Sequence, residues 1–276
     1  MDIESLIYPI EVKSRTDIVK IKPLMDLHYG AKTCDLKAFK AFISNNDEFT
    51  YYFINGDMWD AIYFSDSKRF TASGHDKTDQ DDPIDNDVKE MANILEPIKG
   101  KIIAVGLGNH EWTVLKRHHT NLSKRLADVL GVPYMGFSYF CRLNIFRMDE
   151  DIKGQTRNID FFVQHGFGGG CRTEGGSVTK YSKHADRFLC DVYVVGHDHK
   201  MQYVRYPTMG IRGSKGSVRL FAKSKVVVLG GSWKKAYAPG TAVSYEELKG
   251  YPPAEIGGVT IRIKVTDDWV KISVDM

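Results

Sequence analysis

The chain has 276 residues, of which 42% are hydrophobic and 26% are charged, and its formal net charge is +3. This composition excludes a disordered chain, and the charge is too small to indicate nucleic-acid binding by itself. Residues 1–12 contain no basic lead into an apolar run, so the sequence predicts neither a secretory signal nor a membrane span. We therefore expect a cytoplasmic protein without a membrane partner.

The length favours one large domain, residues 1–276, with enough chain to bury a sizeable core. Residues 64–87 are polar and rich in Asp, which predicts a surface insertion rather than part of the core. The four cysteines are scattered without a C-x-x-C spacing, so we expect reduced thiols. No feature of the sequence indicates an oligomeric state.

Strand-like and helix-like segments alternate over the first half of the chain, which predicts a layered α/β fold. The predicted core strands are residues 17–25, 51–55, 101–105, 159–164, 191–195 and 225–229. The predicted helices are residues 35–43, 85–98 and 120–130, and the last is followed by Gly131 as a stop. From Tyr134 onward the chain is mostly strand-like, so we expect a second, largely antiparallel sheet stacked on the first, with helices outside.

Two acidic motifs follow the first two strands. Asp26 and His28 form a D-x-H motif, and side chains at i and i+2 of extended backbone point to one face, so both can reach one ion. The motif GDMWD contains Asp57 and Asp60, and its glycine allows a sharp turn that presents Asp57 as a candidate bridge between two cations. Taken singly, each motif is equally typical of an ordinary turn.

Three histidine motifs follow later strands. In GNHE, Asn109 offers a neutral oxygen ligand and His110 a proton donor, although an isolated Asn could instead cap the next helix. His165 follows the fourth strand and opens a glycine-rich loop. In GHDH, His197 and His199 are two positions apart, which suits metal ligation better than core packing.

These motifs are more informative together than singly. Five of the nine histidines lie in them, and every motif follows a predicted strand. Active sites of open α/β sheets gather outside the carboxyl ends of the strands. The sequence therefore predicts one polar site with nitrogen and oxygen ligands.

The ordered set D-x-H, GD-x-x-D, GNHE, H-G and GHDH, which runs from Asp26 to His199, resembles the calcineurin-like metallophosphoesterase superfamily. The resemblance implies a four-layer α/β/β/α sandwich of two mixed sheets flanked by helices. It also implies two divalent metal ions and hydrolysis of phosphate esters by a metal-bridging hydroxide.

The same resemblance implies a role for each site residue. One cation would take Asp26, His28, Asp57 and His199, and the other would take Asp57, Asn109, His165 and His197. His110 would protonate the leaving oxygen, and Asp60 would orient His110. Mixed nitrogen and oxygen ligands suit Mn²⁺, Fe or Zn²⁺, and we expect Mn²⁺ first.

The subfamily is less clearly indicated. Ser/Thr protein phosphatases of this superfamily have Arg-Gly after GD-x-x-D, whereas here Ala61 follows. GHDH looks more like the branch with phosphodiesterases and DNA-repair exonucleases, so we expect a phosphodiesterase acting on nucleic acid or nucleotides. Basic residues that could follow a phosphate backbone are Lys116, Arg117, Arg172, Lys180, Lys183, Arg205, Arg212 and Lys215.

Two alternatives remain. GNHE, with Glu in place of Asp, points towards a phosphomonoesterase acting on a small metabolite or a phosphoprotein. The second alternative is a non-catalytic scaffold that keeps the fold. A scaffold of this kind is expected to have lost metal ligands, whereas every ligand position is filled here.

Overall fold

The computed structural model describes residues 3–63, 82–149, 152–171, 173–214, 216–237, 245–266 and 270–276. Its strands are β1 (Glu4–Val12), β2 (Ile18–Leu24), β3 (Thr50–Ile54), β4 (Ile102–Gly106), β5 (Tyr134–Gly136), β6 (Ser138–Asp149), β7 (Ile152–Gln164), β8 (Val192–Val195), β9 (Met201–Ser214), β10 (Ser217–Ser232), β11 (Gly257–Gly258), β12 (Thr260–Val265) and β13 (Val270–Asp275). Its helices are α1 (Leu36–Ser44), α2 (Pro83–Leu95), α3 (Asn109–His118), α4 (Leu122–Leu130), α5 (Gly176–Ala185) and α6 (Tyr245–Lys249), with a 3₁₀ turn at Glu96–Lys101.

The strands form two mixed sheets. The first has the order β13-β12-β2-β3-β4-β5, in which β2 to β5 are parallel and β12 and β13 are antiparallel to their neighbours. The second has the order β1-β6-β7-β8-β10-β11, with β9 attached to β10. Its neighbours β7, β8 and β10 run parallel, whereas β6 and β9 are antiparallel to their partners β7 and β10.

This partition corrects one expectation. The strands after Tyr134 do not form a separate, largely antiparallel sheet, because β12 and β13 complete the first sheet and the N-terminal β1 joins the second. An alternating apolar pattern shows which side of a strand is buried, but it does not show which sheet the strand joins.

A hydrophobic core lies between the two sheets. It contains Ile21 and Phe53 from the first sheet and Phe161 and Val194 from the second, all almost fully buried. The rings of Phe53 and Phe161 meet with their centroids 5.5 Å apart. Burial of such side chains, at about 1.5–3 kcal/mol each, stabilises the stacked pair of sheets.

Helices cover the outer faces of both sheets. Phe39 of α1, Met91 of α2 and Leu126 of α4 pack with Tyr52 of the first sheet. On the other side, Tyr181 of α5 packs with strands of the second sheet. The order helix, sheet, sheet, helix confirms the predicted four-layer α/β/β/α architecture.

Two helices have local capping residues at their ends, of which Gly131 was predicted, whereas Asp35 was predicted to lie inside its helix. Asp35 is the N-cap of α1 and accepts a hydrogen bond from Ala38 N–H at 3.0 Å. Gly131 ends α4 in a left-handed conformation, with φ +68°. The helices α3 and α5 were not predicted. Of the predicted insertion, residues 64–81 lie outside the described residues, and residues 83–87 belong to α2.

The four cysteines are free thiols, as predicted. Among the described helices, none is both long and apolar enough to cross a membrane.

Candidate metal centre

The five motifs meet at one end of the two stacked sheets, because the strands that precede them lie side by side. In the first sheet β2, β3 and β4 are parallel neighbours, and in the second β7 and β8 are parallel neighbours. The loops after them are joined by hydrogen bonds: His28 N–H donates to Asp57 O at 3.0 Å. Across the two sheets, His197 N–H donates to Asp26 Oδ2 at 2.9 Å.

Asp26, His28 and His199 form a first group, whose ligand atoms all lie within 4.8 Å of one another. The Nε2 atoms of His28 and His199 are 3.0 Å apart, and His199 Nε2 is 3.6 Å from Asp26 Oδ1. That carboxylate oxygen is buried and has no hydrogen-bond partner within the described part of the chain. A buried oxygen facing two imidazole nitrogens is an environment that a divalent cation satisfies.

Asp57, His165 and His197 form a second group, also within 4.8 Å. His165 Nε2 lies 3.2 Å from Asp57 Oδ2 and 3.0 Å from Asn109 Oδ1. His197 Nδ1 lies 2.7 Å from the same Asn109 oxygen. Because Gly108 is the N-cap of α3, the amide of Asn109 is not used as a helix cap and lies between the two imidazoles instead.

His110 faces the same space as these ligand candidates. The main-chain N–H of His110 donates to Asp57 Oδ1 at 2.9 Å, and its ring atom Nε2 is 4.0 Å from Asp57 Oδ2. His28, Asp57 and His110 form a third group of ligand atoms within 4.8 Å. These groups could hold cations, and a molecule bound to such cations would be within reach of His110.

Asp60 holds two histidines, each through a different atom. Its carboxylate Oδ1 is 3.1 Å from His28 Nδ1 but 3.9 Å from His110 Nδ1. Its main-chain oxygen lies 2.5 Å from His110 Nδ1 and accepts a hydrogen bond from it. The contact between Asp60 and His110 is thus made mainly through the backbone, whereas the carboxylate orients His28.

The environment keeps His28 neutral. Burial lowers the pKa of His28 to about 3, although the hydrogen bond that His28 donates to Asp60 opposes this shift. A neutral imidazole that donates its Nδ1 proton to Asp60 presents a lone pair at Nε2, towards His199. This is the tautomer that a metal ligand needs.

In contrast, Asp57 and His165 attract each other as an ion pair. Burial raises the pKa of Asp57, but the charges of His165 and His110 outweigh burial and hold that pKa well below its usual range. Burial lowers the pKa of His165, yet the Asp57 carboxylate outweighs burial and raises it to about 10. Only a neutral imidazole coordinates, so a cation that binds here must displace the proton of His165.

The backbone is left-handed rather than extended at five of the seven ligand candidates. The φ angles are +49° at Asp26, +51° at His28, +48° at Asp57, +70° at His197 and +54° at His199. The strands β2 and β8 end before the motifs begin, so extended backbone does not bring the two side chains of each pair together, contrary to the prediction. The side chains converge through successive tight turns instead.

Glu111 is a site residue that the sequence reasoning missed. It is fully buried, and its Oε2 accepts hydrogen bonds from Asp57 N–H at 3.0 Å and Gly108 N–H at 3.1 Å. Its Oε1 accepts from Met58 N–H at 2.8 Å. Burial and the neighbouring Asp57 raise the pKa of Glu111 to about 7. The third position of a helix is where a capping-box Glu occurs, but the contact with the Asp57 loop had no sequence signal.

Lys180 supports the site from α5 and is not placed to follow a phosphate backbone. Its Nζ donates to Asp198 Oδ1 at 2.7 Å and to Phe167 O at 3.2 Å, and so joins the loops after β7 and β8. In the first of these loops, Gly168 O lies 2.6 Å from His197 Nε2. That contact turns the other ring nitrogen of His197 towards the second ligand group.

The described residues thus contain His and Asp groups that could hold a metal ion. The donors are imidazole nitrogens and carboxylate oxygens without thiolate, the unpartnered oxygen of Asp26 lies among them, and an Asn oxygen completes the second group. Such a set fits a divalent cation of the Mn²⁺, Fe or Zn²⁺ type.

No family model matches the chain, and no curated protein sequence matches it. A solved metallophosphoesterase from Sphaerobacter thermophilus is similar, with 11% identity, coverage of 93% of this chain and 87% of that one, and a TM-score of 0.39. Vacuolar Protein Sorting 29 from Cryptosporidium parvum has 14% identity, coverage of 94% and 97%, and a TM-score of 0.37.

A predicted phosphoesterase from Streptococcus pneumoniae is also similar, with 12% identity, coverage of 94% of this chain and 90% of that one, and a TM-score of 0.33. Phosphoesterases and Vacuolar Protein Sorting 29, all calcineurin-like metallophosphoesterase structures, are therefore among the solved structures similar to this chain. Similarity at such low identity concerns the fold and not the activity.

Proposed function

We propose that this chain is a metal-dependent phosphoric ester hydrolase of the calcineurin-like type, and that it is a phosphodiesterase acting on nucleic acid or nucleotides. The observation that carries the proposal is the convergence of two ligand groups near Asp57, with His110 facing the same space. Hydrolysis of a phosphoester requires compensation of charge at phosphorus and a proton for the leaving oxygen. The arrangement supplies residues for both tasks.

The ligand assignment follows the two groups. We assign Asp26, His28, Asp57 and His199 to one divalent cation and Asp57, Asn109, His165 and His197 to the other. Asp57 supports this division because its carboxylate belongs to one ligand group with His28 and to another with His165 and His197. Mn²⁺ is the cation we expect, ahead of Fe or Zn²⁺.

When bound, a pair of such cations supplies Lewis acidity and lowers the pKa of water at the site. The chain's own contribution is the placement of a proton donor. His110 Nδ1 donates to the main-chain oxygen of Asp60, which fixes the ring and leaves Nε2 facing the ligand groups. A protonated His110 would therefore deliver the Nε2 proton to the leaving oxygen.

A diester suits the sequence better than a monoester. A phosphate monoester carries close to two negative charges at neutral pH, whereas a diester carries one. Ala61 occupies the position at which the Ser/Thr protein phosphatases have an arginine. The chain therefore lacks, at this position, a positive charge that would balance the second negative charge of a monoester.

Hydrolysis of p-nitrophenyl esters by the Mn²⁺-loaded protein tests the proposal. We expect the bis-ester to be hydrolysed with a higher kcat/KM than the mono-ester. Asp57→Asn should lose nearly all of this activity, whereas Asp128→Asn, the same change at an exposed position of α4, should keep it. Retained turnover in Asp57→Asn would contradict the assignment of Asp57 to both cations.

The other outcomes identify the alternatives. A clear preference for the mono-ester would replace the proposal with a phosphomonoesterase. A protein that binds Mn²⁺ but hydrolyses neither ester, nor any other member of a broad phosphoester panel, would be a non-catalytic scaffold that keeps the fold.

A further inference from the structure

A buried ion pair lies directly beside the GHDH motif. Asp198 stands between the ligand candidates His197 and His199, and its side chain is 0% exposed. Its Oδ1 accepts hydrogen bonds from Lys180 Nζ at 2.7 Å and from Tyr181 OH at 3.1 Å, both on α5. Burial of a charge costs free energy, and replacement of a buried ion pair by apolar residues is often neutral for stability. The pair is therefore better explained by what it holds in place than by the stability it adds.

Lys180 also holds the glycine-rich loop that follows β7. Besides Asp198, its Nζ donates to two main-chain oxygens of this loop, Phe167 O at 3.2 Å and Gly169 O at 3.4 Å. We call residues 167–169 the glycine loop. An ammonium group has three N–H donors, and these three acceptors use all of them. Lys180 therefore fixes the glycine loop relative to the GHDH motif and keeps no donor for a substrate.

The middle residue of the glycine loop determines the tautomer of His197. Gly168 O, between the two carbonyl groups that Lys180 binds, lies 2.6 Å from His197 Nε2. A carbonyl oxygen only accepts, so Nε2 carries the proton, and Nδ1 of the neutral ring presents a lone pair. This Nδ1 lies 2.7 Å from Asn109 Oδ1, which is also an acceptor. Two acceptors at this distance repel each other, and a cation that binds both removes the repulsion.

The two proposed cations depend on this network to different degrees. For the second cation, His165 lies two residues before the glycine loop and His197 lies next to the buried carboxylate, so Lys180 contacts the loops of both ligands. For the first cation, only His199 belongs to a loop that Lys180 contacts. Another of its ligands, His28, is oriented by a carboxylate of the GDMWD motif in the first sheet. Removal of Lys180 should therefore affect the second cation more than the first.

We infer that Lys180 is a positioning residue that sets the affinity of the second cation. It keeps Gly168 O against His197 and so directs Nδ1 of this ring into the site, without itself binding the cation or the substrate. Loss of a partner that orients a metal-binding histidine typically lowers metal affinity about 10–100-fold. The inference rests on the proposed function, because it adopts the ligand assignment given there.

Calorimetric titration with Mn²⁺ tests the inference without turnover. The unmodified protein should bind two Mn²⁺ ions per chain. In Lys180→Met, which removes the charge but keeps a long side chain, one ion should bind about 10–100-fold more weakly and the other within about threefold. The affected ion is identified by making the same change in two single-site proteins. Lys180→Met should weaken the ion that remains in His28→Ala and leave the ion that remains in His165→Ala within about threefold.

The matched control is Lys225→Met, the same change at a second lysine that holds α5. Lys225 is buried and donates to Ala185 O at 2.8 Å and to Phe188 O at 2.7 Å, at the C-terminal end of that helix. The control should lower the unfolding temperature and leave both Mn²⁺ affinities unchanged. If Lys180→Met does not fold because Asp198 is left buried without its cation, Lys180→Met/Asp198→Asn removes both charges and should show the same selective loss.

Hydrolysis of the bis-p-nitrophenyl ester separates positioning from substrate binding. Lys180→Met should lose activity at low Mn²⁺ and regain the kcat and KM of the unmodified protein at saturating Mn²⁺. A raised KM at every Mn²⁺ concentration would make Lys180 a substrate contact and overturn the inference. Unchanged affinity for both ions, equal weakening of both, or an equal loss in Lys225→Met would also overturn it and leave the proposed function intact. An unmodified protein that binds fewer than two Mn²⁺ ions would overturn the ligand assignment of the proposed function and this inference with it.

Discussion

Replacement of Glu111 by Gln keeps the shape of a buried side chain but removes one of its two acceptor oxygens. The carboxylate joins the GNHE loop to the Asp57 loop: one oxygen accepts from Asp57 and Gly108, and the other accepts from Met58 at 2.8 Å and Trp59 at 3.4 Å. An amide has a single oxygen, so it can satisfy only one of these pairs. Its NH₂ group then faces the other two N–H donors.

The expected cost follows from those two donors. A buried N–H group without an acceptor costs about 1–3 kcal/mol, so Glu111→Gln should lower the free energy of unfolding by about 2–6 kcal/mol. This is a large part of the roughly 5–15 kcal/mol that stabilises a typical domain. The loss should be measured at pH 8, because the pKa of Glu111 is about 7 and the carboxyl is then ionised.

Urea unfolding of the metal-free protein measures this loss. The control is Glu48→Gln, an identical change at an exposed residue whose carboxylate lies 2.8 Å from Lys13 Nζ. A surface pair of this kind contributes about 0–1 kcal/mol. If Glu111→Gln were no less stable than Glu48→Gln, the buried hydrogen bonds of Glu111 would not hold the two loops together, and the reasoning would fail.

Four further predictions concern separate parts of the molecule. Burial raises the pKa of the Cys141 thiol to about 12 and of the Cys190 thiol to about 11, so neither should react with a disulfide reagent at pH 8 until the protein is unfolded; fast reaction of all four thiols would contradict this. Asp35→Ala should cost about 1 kcal/mol in urea unfolding through loss of the α1 cap, and Asp35→Asn, which can still cap, should cost less. His110→Asn should lower kcat by about 10²–10⁴-fold while metal content, measured by elemental analysis, is unchanged; loss of metal would make His110 a ligand. In EDTA, His199→Gly should be about 1 kcal/mol more stable than His199→Ala, because φ is +54° there, and the reverse order would show that the backbone is not strained.

The positions of the site residues could be predicted because they depend on short-range signals. A β-rich run that ends in a polar motif places the motif at the edge of a sheet, and parallel neighbours bring such motifs together. His165 and His197 illustrate this, since each follows its strand by one or two residues and both lie near Asn109. The stop at Gly131 is equally local, because it needs only a residue that tolerates a left-handed conformation.

Features that depend on long-range pairing could not be predicted in the same way. The pairing of β12 with β2 joins residues more than two hundred positions apart, and the apolar pattern of either strand suits both sheets equally. The contact of Asp60 with His28 depends on the angle between two loops, which no spacing in the sequence encodes. The helix α5 was not predicted, because it follows a glycine-rich loop and has few apolar positions. Of these, Tyr181 and Ala185 are buried.

Left-handed backbone at residues other than glycine indicates that these loops serve function rather than stability. Among the described residues, nine that are not glycine have positive φ, and five of them are ligand candidates: Asp26, His28, Asp57, His197 and His199. Each such residue costs about 1–2 kcal/mol relative to an ordinary conformation, and glycine at the same positions would remove most of that cost. A chain under selection for stability alone would carry glycine there. Side chains retained at that cost, all directed into one buried cluster with an unpartnered carboxylate oxygen, are expected where the cluster binds a ligand that compensates for the strain.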